Sequence, residues 1–191
     1  MEMLRNYFKG FGEISPENMD YLVSHCKIRE VPKGMELIKP KQDVDSIYFL
    51  EEGFLHYYTY NDFGERVTLK VVEPNYCWTI LDSFVNHVPT REYCVALNPV
   101  RLCELKREGY LAIKSENQEL SNFIQNITEQ LLSAKVIEAN KKSSMSIEQR
   151  YLDLLHNHPK MVQEVPVQII ASLIGTSRET LHRIRRKLAA A

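Results

Sequence analysis

Seven polar residues near the end of the chain have the types and spacing of side chains that contact nucleic acid. They are Ser177, Arg178, Glu179, Thr180, His182, Arg183 and Arg186. An arginine guanidinium forms two hydrogen bonds with guanine O6 and N7, and a glutamate accepts one from cytosine N4. We therefore expect Arg178, Glu179 and Arg183 to read base edges. Backbone phosphates bind hydroxyl groups and further cations, so phosphate contacts are assigned to Ser177, Thr180, and Arg185 or Arg186.

The segment from Val167 to Leu188 contains the signals of a helix-turn-helix that would position these side chains. Steeply crossing helices need a small residue at their contact, which Ala171 supplies, and a turn that tolerates positive φ, which Gly175 supplies. The pattern Thr176-x-x-Glu179 is a capping box and predicts that the second helix starts there. Apolar residues at helical spacing are predicted to face inward: Ile170, Ile174, Leu181, Ile184 and Leu188. The alternative is an αα-hairpin with a charged surface. Such a hairpin does not need the small residue, the glycine, the helix cap and the apolar residues to lie at matching positions.

The middle of the chain, from Cys26 to about Lys106, has a β-rich texture. Short runs are separated by turn signals, and the predicted strands are Ile28–Val31, Glu36–Ile38, Ser46–Leu50, Phe54–Tyr60, Arg66–Val72, Glu92–Leu97 and Arg101–Leu105. Strands of this length and spacing are typical of a closed or sandwiched antiparallel domain. Ahead of them, Ser15-Pro16-Glu17 predicts a helix start.

A long helix is predicted from about Glu116 to Ala139. Its apolar positions, Leu120, Ile124, Ile127, Leu131 and Ala134, are spaced alternately by four and three residues. This is the a/d seam of a coiled coil and favours dimerisation. Packing of the helix on its own β-domain satisfies the same periodicity. Residues 141–144 are predicted to form a polar hinge, and Ser146-x-x-Gln149 is a capping box that opens a further helix to about residue 156.

The charge is distributed unevenly along the chain. Residues 141–191 carry nine Lys and Arg against four Asp and Glu, a net +5, whereas residues 1–140 carry 15 against 21, a net −6. This asymmetry is consistent with a C-terminal part that binds nucleic acid. The sequence has no apolar run long enough to span a membrane and no secretion signal after Met1, so we expect a cytoplasmic protein.

The residues of the β-rich region do not form a catalytic or metal-binding pattern. A cupin-like metal barrel needs converging histidines, and His56 and His87 are the only two there. The four scattered cysteines lack C-x-x-C spacing and are expected to be reduced core thiols. Haem ligation by Cys77 or His87 is a further alternative to simple core or surface roles. We therefore expect no enzyme, no catalytic residues, no metal and no cofactor.

The motif Ser177-Arg178-Glu179-Thr180-x-x-Arg183, preceded by the β-rich region and the long helix, resembles the cyclic-AMP receptor protein/FNR family of transcription regulators, one of whose members is a standard helix-turn-helix example. The resemblance runs from about Cys26 to Leu188. It implies a β-roll that holds an effector, a helix that pairs two subunits, and base reading by Arg178, Glu179 and Arg183. It also implies a homodimer on duplex DNA and makes RNA polymerase a candidate partner.

The sequence departs from the cyclic-nucleotide members of that family in the segment from Asn75 to Tyr93. In an ungapped match, Thr79 and Ile80 replace a Gly-Glu pair, and Thr90 replaces the phosphate-binding arginine, with Arg91 one place away. These losses remove a ribose acceptor and a bidentate phosphate ligand. The candidate effector pocket is Trp78, Thr79, Ile80, Thr90 and Arg91, and its effector is expected not to be cyclic AMP.

The resulting architecture is α+β, in three parts. Residues 1–115 form an antiparallel β-roll with short N-terminal helices, residues 116–142 form the dimerisation helix and hinge, and residues 143–191 form a winged helix-turn-helix. Any wing precedes the recognition helix, around Met161–Pro166. The main functional alternative is a ligand-sensing β-roll module that regulates a protein partner.

Overall fold

The β-rich region folds into two four-stranded antiparallel sheets that face each other as a roll. The computed structural model describes residues 1–189, apart from the side chains of residues 138, 141 and 142. The strands are β1 (Cys26–Val31), β2 (Glu36–Ile38), β3 (Ser46–Glu52), β4 (Leu55–Tyr60), β5 (Arg66–Val72), β6 (Tyr76–Trp78), β7 (Tyr93–Ala96) and β8 (Val100–Lys106). One sheet has the order β1-β8-β3-β6 and the other β2-β7-β4-β5. All seven predicted strands are confirmed, and β6 was not predicted.

Two of the predicted turns pack against each other at one end of the roll. Gly53 links β3 to β4 with φ +85°, and a Cβ atom there would lie 2.5 Å from the carbonyl oxygen of Pro99. The side-chain oxygen of Asn98 accepts a hydrogen bond of 2.7 Å from the backbone N–H of Phe54. Glycine is therefore required at residue 53 for both its backbone conformation and its lack of a side chain.

The interior of the roll is filled by apolar side chains from both sheets. Alternate residues of each strand point inward, and the buried set is Val31, Ile38, Val44, Tyr48, Leu50, Leu55, Val72, Trp78, Ile80, Cys94, Ala96, Val100 and Leu102. Burial of this size is the main stabilising contribution to such a domain. The roll therefore has a packed core of its own.

Helices cover the outer face of the first sheet. They are α1 (Glu2–Lys9), α2 (Pro16–Ser24), α4 (Arg107–Glu116) and α5 (Gln118–Ser144), whereas the short helix α3 (Leu81–Asn86) links β6 to β7. The predicted start of α2 is confirmed, because the Ser15 side chain accepts a hydrogen bond from the backbone N–H of Asn18. A second apolar cluster joins α1, α2, α4 and α5 to the strands β1, β3 and β8.

The first half of α5 packs on its own subunit. Leu120, Ile124 and Ile127 are buried in the cluster beneath α1 and α2. The interpretation of these residues as a coiled-coil seam is therefore wrong for this half, since the same spacing is satisfied within the chain. In the second half, Leu132 and Val136 are exposed, Val136 by 60%. The apolar surface left for a partner helix begins after Ile127.

The helix α5 runs through the segment predicted to be a hinge, residues 141–144, and ends at Ser144. The break falls at Met145 and Ser146, and the predicted capping box is present, because Ser146 and Gln149 exchange hydrogen bonds between side chain and backbone. It opens α6 (Ile147–Asn157). The polar residues at 141–144 did not interrupt the helix because none of them is a proline or glycine. Ala190 and Ala191, the end of the predicted third part, lie outside the described residues.

The remaining helices are α7 (Pro159–Glu164), α8 (Val167–Leu173) and α9 (Arg178–Ala189). The wing predicted around Met161–Pro166 is therefore wrong, since most of that segment is α7. Proline at the first position of a helix costs no hydrogen bond, and Pro159 starts α7 there. Among the described residues after Lys106, all regular structure is helical, and within residues 1–189 no helix combines the length and hydropathy that crossing a bilayer requires.

The C-terminal helices rest on the outer face of the β4–β5 sheet, a contact called the junction below. Phe54 and Val71 from the roll join one apolar core with residues of α6–α9, namely Tyr151, Met161, Val165, Ile170, Ala171, Ile174, Leu181 and Ile184. The backbone N–H of Thr68 donates a hydrogen bond of 2.9 Å to Ser172 Oγ. His158 also contacts the Glu73 carboxylate through Nδ1. The roll and the C-terminal helices thus share a hydrophobic core.

His56 is buried at the edge of this junction. Its side chain is 1% exposed, and Nε2 lies 2.9 Å from the Thr68 hydroxyl oxygen, whereas Nδ1 is buried without a partner. Burial, with a smaller contribution from the positive charge of Arg66, lowers the pKa of His56 from 6.5 to about 4. The folded protein therefore holds this imidazole neutral.

We predict that His56 makes the protein less stable in mild acid. The imidazole of His56 binds a proton near pH 6.5 in the unfolded chain but only near pH 4 in the folded chain. The contribution of the neutral imidazole to the free energy of unfolding is therefore fully present above pH 6.5 and is lost as the pH falls towards 4. The loss is about 3 kcal/mol. Urea unfolding of wild type and His56→Gln across this pH range should show a flatter pH dependence in the variant, in which the amide keeps a hydrogen bond to Thr68. Equal slopes in the two proteins would contradict the prediction.

Candidate nucleic-acid interface

The segment predicted to be a helix-turn-helix consists of two helices, α8 and α9, joined by a short turn at residues 174–177. Ala171 is 1% exposed and lies in the apolar core with Ile170 and Leu181. The carbonyl oxygen of Ala171 also accepts a hydrogen bond of 2.9 Å from the backbone N–H of Thr176, which closes the turn onto α8. A small residue at 171 thus lets the turn and the second helix approach closely.

Gly175 provides the sharp turn between the two helices. Its φ is +79°, in the left-handed region that favours glycine. Its N–H donates to the carbonyl oxygen of Ser172, and a Cβ atom at this residue would lie 3.4 Å from Nη1 of Arg150. The predicted role of Gly175 is confirmed, and the turn is also in contact with α6.

The N-cap residue of α9 lies one residue later in the chain than predicted. Ser177 Oγ accepts a hydrogen bond of 3.2 Å from the backbone N–H of Thr180, so Ser177 is the N-cap residue and Thr176 is not. The Thr176–Glu179 capping box is therefore wrong. Hydrogen bonding to its own backbone N–H and to Ser177 lowers the pKa of Glu179, whose carboxylate lies in the first turn of the helix. An anion in that position is stabilised by the helix dipole.

The predicted contact residues lie together on the outer face of α9. Ser177, Arg178, Glu179, His182, Arg183 and Arg186 are exposed, and Thr180 is half-buried. Arg178 Nε lies 3.4 Å from His182 Nε2, and the Ser177 hydroxyl lies 3.3 Å from that of Thr180. Leu181 and Ile184 on the opposite face are buried. The helix therefore presents one polar, mainly basic surface to solvent.

Two other cations of α9 are engaged within the protein. The guanidinium of Arg185 lies 5.5 Å above the ring of Tyr151, and its Nε atom is buried. Lys187 forms an ion pair of 2.8 Å with Glu148. Arg186 is exposed, and no acidic side chain in the described part of the chain, which leaves out the side chain of residue 138, pairs with it. Of the two arginines considered for a phosphate contact, Arg186 is the one on the solvent side.

The residues of the predicted effector pocket lie around β6 and α3, but most of them take part in the fold. Trp78 is buried, and its ring centroid lies 4.8 Å from that of Tyr48. Thr79 donates a hydrogen bond of 2.8 Å to the carbonyl oxygen of Ser46. Ile80 is buried in the same core as Trp78. These three residues therefore fill and close the roll.

Thr90 and Arg91 lie on different sides of their segment. Thr90 is buried, and its N–H and carbonyl group bond to the backbones of Gln42 and Lys41. Arg91 is exposed. The structure thus brings Trp78 and Ile80 together in the roll, with Thr90 buried as well and Arg91 directed to solvent.

The cysteines lie mainly in apolar surroundings. Cys26, Cys94 and Cys103 are buried, and burial raises the pKa of Cys26 to about 12 and that of Cys103 to about 11. Thiols of this kind are unreactive near neutral pH. Cys77 is half-buried, and the exposed His87 contacts Asp43. In the part of the chain that the structure describes, no three His, Cys, Asp or Glu side chains are arranged to hold a metal ion.

The comparison with protein families identifies the roll. Residues 28–117 match the model of the cyclic nucleotide-binding domain. No curated protein sequence matches the chain. The match covers the strands from within β1 through β8 and the helix α4, so the two sheets have the architecture of that domain.

Solved structures extend the similarity over nearly the whole chain. The catabolite activator protein of Thermus thermophilus is 21% identical, with 94% of this chain and 86% of that chain covered and a TM-score of 0.56. The c-di-GMP responsive global regulator CLP of Xanthomonas campestris is 17% identical, with 92% of each chain covered and a TM-score of 0.68. The regulatory domain of Toxoplasma gondii PKA, crystallised with cAMP, is 22% identical but covers 59% of this chain and 43% of that chain, with a TM-score of 0.52. At these identities the similarity concerns the fold.

Proposed function

We propose that the chain is a sequence-specific DNA-binding transcription regulator that acts as a homodimer. The observation that carries the proposal is the outer face of α9, where Arg178, Glu179, Arg183 and Arg186 are exposed on the second of two short helices joined by a turn, and we interpret this pair as a helix-turn-helix. In this motif the N-terminal residues of the second helix contact base edges in the major groove. The whole-chain similarity to a catabolite activator supports the same function.

Dimerisation is supported by the second half of α5. Leu132 and Val136 are one helical turn apart, so they share a face, and both are exposed. Exposed leucine and valine at this spacing on a long helix are typical of a surface that pairs with another helix. A two-fold dimer would carry two reading helices and would recognise a palindromic site with half-sites one helical turn, about 34–36 Å, apart.

We also propose that the effector, if the protein has one, is not cyclic AMP. A cyclic nucleotide needs an acceptor for its ribose and a cation for its phosphate. At the matching places Thr79 and Ile80 are used by the fold, and Thr90 offers no charge. RNA polymerase remains a candidate partner by the family resemblance.

The rival function is a sensing module that regulates a protein partner. The similarity to a PKA regulatory domain favours it, but that match covers only 59% of this chain. The rival also leaves the basic outer face of α9 without a role, which is why we prefer the DNA-binding function.

We predict that selection from random duplexes by the purified protein yields a two-fold symmetric motif with one-turn spacing. Arg178→Ala should broaden the preference at one base pair of each half-site and cost about 1–3 kcal/mol there. Arg186→Ala should weaken binding to all duplexes alike. It should also reduce the slope of log K against the logarithm of the salt concentration by about one unit. Sequencing of the selected pools and salt titrations measure these effects. Loss of affinity without altered preference in both variants would refute the assignment of base readers, and failure to enrich any motif would favour the rival function.

We predict that Leu132→Glu combined with Val136→Glu converts the dimer to monomers. Four carboxylates would meet at the interface, where like charges repel and are desolvated. Light scattering after size exclusion measures the mass. Leu111→Glu is the matched control, since Leu111 is an exposed leucine on the neighbouring helix α4. An unchanged dimer in the double variant would place the interface elsewhere.

We predict that calorimetric titration with cyclic AMP gives no saturable heat, because the roll lacks the charged ligands of the nucleotide. Saturable binding would contradict the prediction. If binding occurs and is lost in Arg91→Gln, the exposed arginine next to Thr90 supplies the phosphate ligand after all.

A further inference from the structure

A cleft of about 510 Å³ lies at the junction between the roll and the C-terminal helices. Its walls come from three parts of the chain. Val71 and Tyr76 belong to the roll, Ala134 and Ile137 belong to the second half of α5, and α6–α8 form the third wall. The volume lies in the range of small-molecule sites.

The lining of the cleft is largely apolar. In addition to Val71, Ala134 and Ile137, it includes Met145, Leu154 and Met161. Ile137 is 64% exposed and forms part of the rim. Apolar surface that stays open to solvent at a junction is the part that an apolar ligand body would cover.

Arg150 supplies an unusual polar group in this lining. Its Nη1 atom donates a hydrogen bond of 3.2 Å to the carbonyl oxygen of Ile174, whereas its Nε atom is buried without an acceptor. Among the side chains that the structure describes, no carboxylate forms an ion pair with Arg150. Because Nε has almost no accessible surface, the donors that an oxygen atom of a ligand can reach are the Nη groups of the guanidinium, which carry its positive charge.

The other charged groups of the cleft have partners of their own. Glu73 contacts His158, and Asp153 accepts a hydrogen bond of 2.8 Å from the Asn157 side chain. The Lys70 amine donates a hydrogen bond of 2.6 Å to the Tyr76 hydroxyl group. These two carboxylates disfavour a multiply charged anion, so the lining suits one acidic group beside Arg150 and an apolar remainder.

We propose that the cleft is a binding site for an organic monocarboxylic acid with an apolar body. The carboxylate accepts hydrogen bonds from Arg150, and the apolar body lies between α5 and the helices α6 and α7. Because Val71 and Tyr76 of the roll form another wall of the cleft, the same ligand bridges the roll, α5 and the helices α6 and α7, and it stabilises the junction. The regulatory consequence, a change in DNA affinity, rests on the function proposed above, whereas the binding site does not.

The test is calorimetric titration of the full chain with decanoate below its micelle concentration. We expect saturable binding of decanoate and much weaker binding of decyltrimethylammonium, which has the same alkyl chain and the opposite charge. Arg150→Gln should weaken decanoate binding about tenfold, the loss expected for a charge-assisted hydrogen bond. Lys33→Gln, an equal change of charge at an exposed residue of the roll outside the cleft, should leave the affinity unchanged.

A second variant keeps the test valid if Arg150→Gln destabilises the turn at Ile174. Ile137→Glu changes an exposed rim residue, so it leaves the fold intact, and it should weaken decanoate binding severalfold by charge repulsion. The proposal is overturned if decanoate does not bind, if the ammonium probe binds as tightly, or if Ile137→Glu has no effect while Lys33→Gln abolishes binding.

DNA binding is measured separately, with and without saturating decanoate, on the duplex obtained by selection. A shift in affinity that Ile137→Glu reduces supports the regulatory role, and an unchanged affinity refutes that role. If decanoate binds but no duplex is selected, the result supports the binding site in the cleft and refutes the proposed DNA-binding function. If a duplex is selected but decanoate does not bind, the result supports the DNA-binding function and refutes the binding site in the cleft.

Discussion

The apolar contact between the β4–β5 sheet and the C-terminal helices decides where the polar face of α9 points. Phe54 and Val71 reach out of the roll into the same core that holds Ile170 and Leu181. The C-terminal group of helices, α6–α9, is small, and by itself it buries too little apolar surface for a robust domain. By sharing its core with the roll, it acquires a fixed orientation. The exposed side chains of α9 are therefore positioned by residues more than 100 positions earlier in the chain.

Some parts of this arrangement were predictable because they depend on neighbouring residues. The strands follow from alternation and turn signals, and the turn at Gly175 follows from the demand for a positive φ. The capping box at Ser146 and Gln149 is likewise a local hydrogen-bond pattern. The polar face of α9 follows from helical periodicity, since Leu181 and Ile184 must point inward for the two helices to pack.

Other parts were not predictable, because they depend on which surfaces meet. The spacing of Leu120, Ile124 and Ile127 is the same whether a helix packs on its own subunit or on a partner, and only the positions of α1 and α2 decide between them. A proline such as Pro159 can end one helix and start another. The residue type alone therefore does not show that the segment after it is the helix α7 and not a wing. The cleft at the junction combines residues from β5 to α8, so no short stretch of sequence reveals it.

The difference between the two candidate ligand sites bears on how this fold transmits a signal. A ligand shifts a conformational equilibrium only by the difference between its affinities for the two states. A ligand inside the roll would touch the roll alone, where Trp78 and Ile80 already occupy the core, so it would act on α9 only through displaced strands. A ligand in the cleft touches the roll and the C-terminal helices together, and it loses one wall when they separate. The part of its binding free energy that comes from this wall depends on the docked arrangement, which makes the junction the more effective place for an effector in this protein.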